Sequence, residues 1–98
     1  MDRQSALDRL TSHKDALKAL GLAQLSLFGS TARGQAIDGS DIDLAVTLDP
    51  AAGIDLFRFA AIGEQLGQLL GNRVDLVVEP ARSPRMQAEI DRDRLRVY

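Results

Sequence analysis

The feature that most limits what this chain can fold into is a pair of apolar strands joined through a glycine turn. The first strand is predicted at 23–28, and the turn begins at Gly29. The second strand is predicted at 41–48, where apolar residues occupy every second position. Because side chains alternate between the faces of a strand, Asp41 and Asp43 leave the same face. A turn large enough to hold a phosphate group therefore faces a pair of acids.

The rest of the chain supplies helices and one more strand. The order helix, strand, turn, strand, helix, strand, helix predicts an α/β (α+β) fold, a small mixed β-sheet of three to four strands covered by helices. Residues 1–98 are expected to form a single domain, because a chain of this length builds one core. Helical periodicity or strand alternation predicts helices at 4–20, 54–70 and 83–92, a short helical turn at 31–35, a third strand at 73–78, and an apolar tail at 95–98.

Composition excludes several classes of protein. No apolar run approaches the ~18–20 residues of a membrane-spanning helix, and the first residues lack the apolar core of a secretory signal. The chain has no cysteine, which excludes disulfides and thiolate zinc sites. We expect a cytoplasmic location. The net charge of −2, with acids and bases interspersed, argues against direct DNA binding.

A third acid stands inside an otherwise apolar strand. Asp75 is a poor strand former between Val74 and Leu76, so its presence requires a reason. If the third strand lies beside the second, Asp75 joins Asp41 and Asp43. Three neighbouring carboxylates repel one another and tend to take up protons. A magnesium ion relieves that repulsion and leaves positions open for phosphates.

The glycine turn has the properties of an anion site. Gly29 and Gly34 allow close backbone approach, and successive amide N–H groups in such a turn bind anions. The Ser30 hydroxyl supplies a further donor. Arg33 either reaches a phosphate as a bidentate donor or forms an exposed pair with Asp38.

Two familiar interpretations of these motifs fail. The glycine spacing matches a P-loop, but Gln35 and Ala36 stand where lysine and serine or threonine are required. The run from Asp41 to Ala45 begins like a calcium loop but lacks its glycine, its third oxygen ligand and its spacing. Nucleotidyl transfer from a magnesium-bound nucleoside triphosphate is the interpretation that remains.

The motif is similar to one in a known family. Gly29-Ser30, ten residues, and then Asp41-Ile42-Asp43 resembles the signature of the DNA polymerase β-like nucleotidyltransferase superfamily. The fuller string GSTARG…GSDIDLAV is similar to its smallest branch, the minimal nucleotidyltransferases (MNT). The likeness spans nearly the whole chain and includes Asp75 at the place of the third acid.

The resemblance implies a role for each motif residue. Asp41 and Asp43 would be catalytic and would bind magnesium, expected as two ions, together with the triphosphate of ATP. Asp75 would complete the metal site and help to deprotonate the acceptor hydroxyl. The predicted nucleotide-binding residues are Gly29, Ser30, Arg33 and Ser40.

The resemblance also implies a partner. Small MNT proteins are commonly encoded beside a HEPN-domain toxin, and such an MNT protein acts as antitoxin by adding AMP to a tyrosine of that ribonuclease. The short chain favours a protein acceptor, because larger relatives carry a second domain that holds the acceptor. Two alternatives stay open: a binding module that neutralises its partner without catalysis, and a transferase for a small molecule such as an antibiotic.

Overall fold

Two antiparallel strands, β1 (Leu22–Phe28) and β2 (Ile42–Leu48), form the middle of the sheet in this computed structural model, which describes all residues from 1 to 98. β3 (Val74–Val78) lies beside β2 and runs parallel to it. β4 (Leu95–Arg96) pairs with β1 in the antiparallel direction. The order across the sheet is β3-β2-β1-β4, so the predicted mixed sheet is confirmed and has four strands.

Five α-helices accompany the sheet, and none is both long and apolar enough to cross a membrane. They are α1 (Arg3–Ser12), α2 (Lys14–Ala19), α3 (Gly29–Ala32), α4 (Leu56–Leu70) and α5 (Pro84–Asp93), with a 3-10 turn at Pro50–Ala52. Asp55 and Ser83 accept hydrogen bonds from Arg58 N and Met86 N, which caps α4 and α5. These caps explain why both helices start slightly later than the apolar pattern predicts.

One face of the sheet holds the main core. The predicted apolar face of β2, with Leu44 at its centre, packs against helices α1, α2 and α4. Ile62 and Leu66 of the predicted α4 stripe are buried, whereas Phe59 and Leu69 are half-buried at its margin. The buried members of this core are Ala6, Leu10, Leu17, Leu22, Leu25, Leu27, Ala32, Ile42, Leu44, Val46, Ile62, Leu66 and Leu70.

The opposite face is covered by α5 alone. Its apolar cluster is small and consists of Phe28, Ala45 and Ile90, with Met86 and Val77 partly buried against them. Polar groups complete this face, because the Arg94 guanidinium bonds both the Glu79 carboxylate, at 2.6 and 2.8 Å, and the buried Ser26 hydroxyl, at 3.0 Å. We call these three residues the Arg94 clamp. The clamp ties α5 to the end of β3 and to β1.

The predicted helix at 4–20 is interrupted. His13 leaves the helical conformation, its N–H donates to Leu10 O at 3.2 Å, and its Nδ1 lies 2.9 Å from Arg9 O. The chain therefore forms α1 and α2 in place of one helix. The apolar spacing continues through the break, so periodicity alone does not reveal it.

Two other elements differ from the sequence prediction. The helical turn expected at 31–35 is α3, which begins at Gly29 itself. The apolar tail contains β4, and the Tyr98 hydroxyl donates to Leu22 O at 2.9 Å. Two residues are too few to show strand alternation, so the sequence carries no signal for β4.

Candidate active site

Two of the predicted acids are neighbours in the sheet. The parallel register of β2 and β3 aligns Asp43 with Asp75, so both side chains leave the face that α5 covers. Asp41 stands one residue before β2, and its Oδ1 lies 3.8 Å from Arg73 Nε on the exposed rim. The structure therefore brings Asp43 and Asp75 together, with Asp41 at the edge of the pair.

The negative charges of Asp43 and Asp75 repel each other, and this repulsion affects the pKa of Asp43. The pKa of Asp43 is raised from 3.8 to about 6, mainly by burial and then by the negative charges of Asp75 and Asp41, against a lowering by Arg33. Proton uptake by Asp43 is one way to relieve this repulsion, and a bound cation is another. A carboxyl group whose pKa is raised in this way is typical of a functional site.

Gly29 fits against Asp43 so closely that no other residue can replace it without a shift. Its φ of +74° lies in the left-handed region, and a Cβ on Gly29 would overlap the Asp43 carboxylate oxygen. The register explains the contact, because Phe28 at the end of β1 is aligned with Asp43. The position of the glycine turn and the position of the Asp43 carboxylate therefore depend on each other.

A cavity of about 290 Å³ opens at this contact. It is lined by the predicted nucleotide-binding residues Gly29, Ser30 and Arg33 together with Asp43. Phe28, the residue that precedes α3, provides no side-chain cap, so the first amide groups of this short helix have no side-chain acceptor from that position. The cavity is therefore suited to an anion next to the acid pair.

Residues of α5 that the sequence did not single out complete the cavity. The Arg33 Nη1 donates to Asp93 Oδ2 at 2.6 Å, and Arg33 Nε donates to the Gln35 side chain at 2.9 Å. Asp38, which the sequence offered as a partner of Arg33, takes no part in this pairing. Arg33 and Asp93 lie 60 positions apart, so spacing carries no signal for the contact. The α5 residues that line the cavity are Met86, Glu89, Arg92 and Asp93.

Ser40 has a different setting from the other predicted nucleotide-binding residues. Its hydroxyl accepts a hydrogen bond from Ile37 N at 3.2 Å and closes the loop that precedes Asp41. It does not line the cavity that Ser30 lines. Its observed contact is with the loop backbone.

The donor chemistry of the acids fits a magnesium ion. Carboxylate oxygens are the ligands that magnesium prefers, and the register holds Asp43 and Asp75 side by side. No group of three or more acidic or histidine side chains is already arranged around one point as metal ligands. Asp41 would join the pair by leaving Arg73, a contact that costs little because both side chains are exposed.

Comparison with known proteins assigns this geometry to a family. The nucleotidyltransferase domain family matches residues 10–98. The chain belongs to the nucleotidyltransferases. The protein adenylyltransferase MntA of Thermococcus cleftensis is 39% identical over 71 residues, which are 71% of this chain and 70% of that protein.

Solved structures agree with this assignment. A candidate minimal nucleotidyltransferase superposes with a TM-score of 0.80 at 33% identity, over 97% of this chain and 95% of the other. A chain from a toxin–antitoxin complex with AMP-PNP gives a TM-score of 0.75 at 25% identity, over 93% of this nucleotidyltransferase and 73% of the other chain. The predicted polymerase β-like fold is confirmed.

Proposed function

We propose that this nucleotidyltransferase transfers AMP from magnesium-bound ATP to a hydroxyl of a partner protein, a HEPN-type toxin that it neutralises as antitoxin. The observation that carries the proposal is the alignment of Asp43 with Asp75 directly beside the Gly29–Ser30 cavity. Acids and an anion cavity in contact are what phosphoryl chemistry with a charged triphosphate requires.

Each side of the site has its own part in the reaction. Gly29, Ser30 and Arg33 hold the β- and γ-phosphates, through backbone amides, a hydroxyl and a guanidinium. Asp43 and Asp75, joined by Asp41, hold magnesium, which neutralises triphosphate charge when bound. The Arg33–Asp93 pair fixes the guanidinium at the cavity wall.

The transfer itself is a displacement at the α-phosphorus. The acceptor oxygen forms a bond to that phosphorus while the bond to the bridging oxygen of the β-phosphate breaks, and pyrophosphate leaves. Asp75 takes the proton of the acceptor hydroxyl, because it stands on the outer side of the acid pair, on an edge strand. The products are an AMP ester on the acceptor and pyrophosphate.

Two similarities support a protein acceptor and an antitoxin role. A relative with 39% identity bears the name protein adenylyltransferase, and one structural neighbour is part of a toxin–antitoxin complex with AMP-PNP. The motif resemblance to MNT proteins adds the HEPN toxin and its tyrosine as the acceptor.

The test combines labelled ATP, magnesium and a HEPN-domain protein as the candidate acceptor. We expect label on the partner with the unaltered chain, and none with the Asp41→Asn, Asp43→Asn double variant. Asp38→Asn is the matched control, since it removes an exposed carboxylate from the same loop outside the cavity. A partner that is neutralised without label would contradict the proposal.

A non-catalytic antitoxin is the second candidate. Leu56 and Phe57 at the start of α4 are 79% and 86% exposed, which is typical of a protein-contact surface. The same double variant separates the two functions. Neutralisation that survives the loss of both carboxylates favours complex formation, whereas neutralisation lost from an intact complex favours catalysis.

A further inference from the structure

A second guanidinium lies at the wall of the Gly29 cavity beside that of Arg33. It belongs to Arg92 of α5, and one carboxylate, that of Asp93, holds both arginines. Arg33 Nη1 donates to Asp93 Oδ2 at 2.6 Å. Arg92 donates from Nε to Oδ1 at 3.0 Å and from Nη2 to Oδ2 at 3.2 Å. We call Arg33, Asp93 and Arg92 the Asp93 bridge.

The carboxylate of Asp93 is the buried centre of this bridge. The Asp93 side chain is 5% exposed, whereas those of Arg33 and Arg92 are 40% and 64% exposed. Hydrogen bonds from Arg92 and then from Arg33 hold the pKa of Asp93 below its usual value, against the effect of burial, so the carboxylate is ionised. Its charge is therefore taken up by the two guanidiniums.

Both guanidiniums keep donors for a further ligand. An arginine side chain carries five N–H donors. Arg33 uses two of them, one to Asp93 and one to the Gln35 side chain, and Arg92 uses two, both to Asp93. Each arginine therefore retains three donors. Two such groups at one cavity wall match an anion with many oxygens, such as a polyphosphate.

The sum of the charges around the cavity does not account for anion binding. Three acids line it, Asp43, Glu89 and Asp93, against the two arginines. Asp93 adds a negative charge that would by itself repel an anion. Any gain in anion binding from Asp93 must therefore come from the positions in which it holds the two guanidiniums.

We propose that Arg92 is a second ligand of the β- and γ-phosphates, and that Asp93 is the positioning residue that orients both arginines toward them. This rests on the proposed function and adds to it a group that contacts the pyrophosphate as it leaves. Guanidiniums already held in place lose less conformational freedom when the triphosphate binds. The last turn of α5, which contains Arg92 and Asp93, is thereby part of the nucleotide site.

Asp93→Asn and Glu89→Gln form a matched pair, since each removes one negative charge from the same cavity. Glu89 takes no part in the Asp93 bridge. We expect Asp93→Asn to raise the Kd for AMP-PNP with magnesium at least tenfold, although it removes a repulsive charge. Glu89→Gln should leave this Kd unchanged or lower it. Isothermal titration calorimetry measures both, and a Kd that is unchanged or lower in Asp93→Asn would overturn the positioning role.

Arg92→Gln tests the second phosphate ligand, and the fold should tolerate it because the side chain is largely exposed. The Kd for AMP-PNP should rise at least tenfold. The Kd for AMP should stay within twofold, because AMP lacks the β- and γ-phosphates. Arg85→Gln is the control, an exposed arginine of the same helix outside the cavity, and should stay within twofold for both ligands. Equal losses for AMP and AMP-PNP, or no loss for either, would overturn the assignment of Arg92.

A further measurement separates positioning from a purely structural role of Asp93. In a chain that carries Arg33→Gln and Arg92→Gln, Asp93 has no guanidinium to position, so Asp93→Asn should no longer weaken AMP-PNP binding. An equal loss with and without the two arginines would show that Asp93 acts only through the fold, and the inference would be wrong. Failure of the unaltered chain to bind AMP-PNP would overturn the proposed function and this inference together. The expected binding pattern without label on a HEPN-domain protein would overturn the proposed function alone.

Discussion

The two faces of the sheet differ in what they contain and in what they do. The face under α1, α2 and α4 packs thirteen buried residues, all of them aliphatic. The face under α5 buries only three apolar residues and carries the acid pair, the Arg94 clamp and the cavity at Gly29. One face therefore provides most of the stability, and the other carries the acidic and nucleotide-binding side chains of the candidate active site.

The comparison shows how a short chain combines stability and function on one strand. Leu44 and Asp43 are adjacent in β2 but project to opposite faces. The core beneath fixes the backbone of β2, so the acids above are held in place even though they repel each other. Four predictions test this division, in order of decreasing effect on the free energy of unfolding.

The largest loss in the free energy of unfolding is expected from a substitution in the main core, on the face covered by α1, α2 and α4. Leu44 is fully buried, so Leu44→Ala should lower the free energy of unfolding by about 3 kcal/mol through lost burial and the cavity left behind. Val77→Ala is the counterpart on the α5 face, where the side chain is only half-buried, and its cost should be clearly smaller. Urea denaturation followed by circular dichroism measures both. Equal losses would contradict the division between the faces.

The next effect is expected at the turn that touches the acids. Gly29→Ala should cost about 2–3 kcal/mol and reduce AMP transfer at least a hundredfold, because the new methyl group displaces the Asp43 carboxylate in addition to straining the backbone. Gly39→Ala is the control, since Gly39 has a φ of +86° but nothing within 4 Å of the added carbon. It should cost about 1 kcal/mol from backbone strain alone and keep activity. Matching losses of activity in the two variants would refute the role of the close contact.

A smaller effect is expected at the Arg94 clamp. Hydrogen bonds from Arg94 hold the pKa of Glu79 below its usual value, so the folded state gains stability above the unfolded pKa and loses it as pH falls through the folded pKa. Glu79→Gln should therefore lower the free energy of unfolding by about 1.5 kcal/mol at pH 7. The difference from the unaltered chain should shrink under acid conditions. Thermal melts from pH 7 downward measure this, and a difference independent of pH would contradict it.

The smallest expected effect is an increase, not a decrease, in the free energy of unfolding. The pKa of Asp43 is raised from 3.8 to about 6, so the unaltered chain loses stability as pH rises between these values. Asp43→Asn should remove that slope and stabilise the protein at pH 7 by about 1 kcal/mol, a modest value because the carboxyl is only half-buried and water screens it. Melting temperatures across pH 4–7 measure both chains. A variant less stable than the unaltered chain at pH 7 would show that the acids do not repel.

Much of the fold was predictable because its signals are local. Alternation in β2 gave the correct two faces, and the apolar stripe of α4 located the helix that covers one of them. Asp75 was recognisable as a misfit in an apolar strand, and the register now explains it by placing Asp75 beside Asp43. The roles of these acids and of the nucleotide-binding residues remain predictions that the variants above test.

The features that sequence reasoning missed depend on contacts between distant residues. Arg33 and Asp93 meet only because α5 folds back over the end of β1, and Arg94 reaches Ser26 across 68 positions. The break at His13 sits within an unbroken apolar periodicity. Periodicity reports burial along one element, and it contains no information on which polar groups meet between elements.

The position of β3 at the edge of the sheet makes the two aligned carboxylates unequal in how firmly their backbones are held. β2 is hydrogen-bonded on both sides, whereas β3 has five residues and a partner on one side only. Fraying of β3 would carry Asp75 away from Asp43 while the core under β2 stayed intact. Heat or mild denaturant should consequently inactivate the enzyme before the whole domain unfolds.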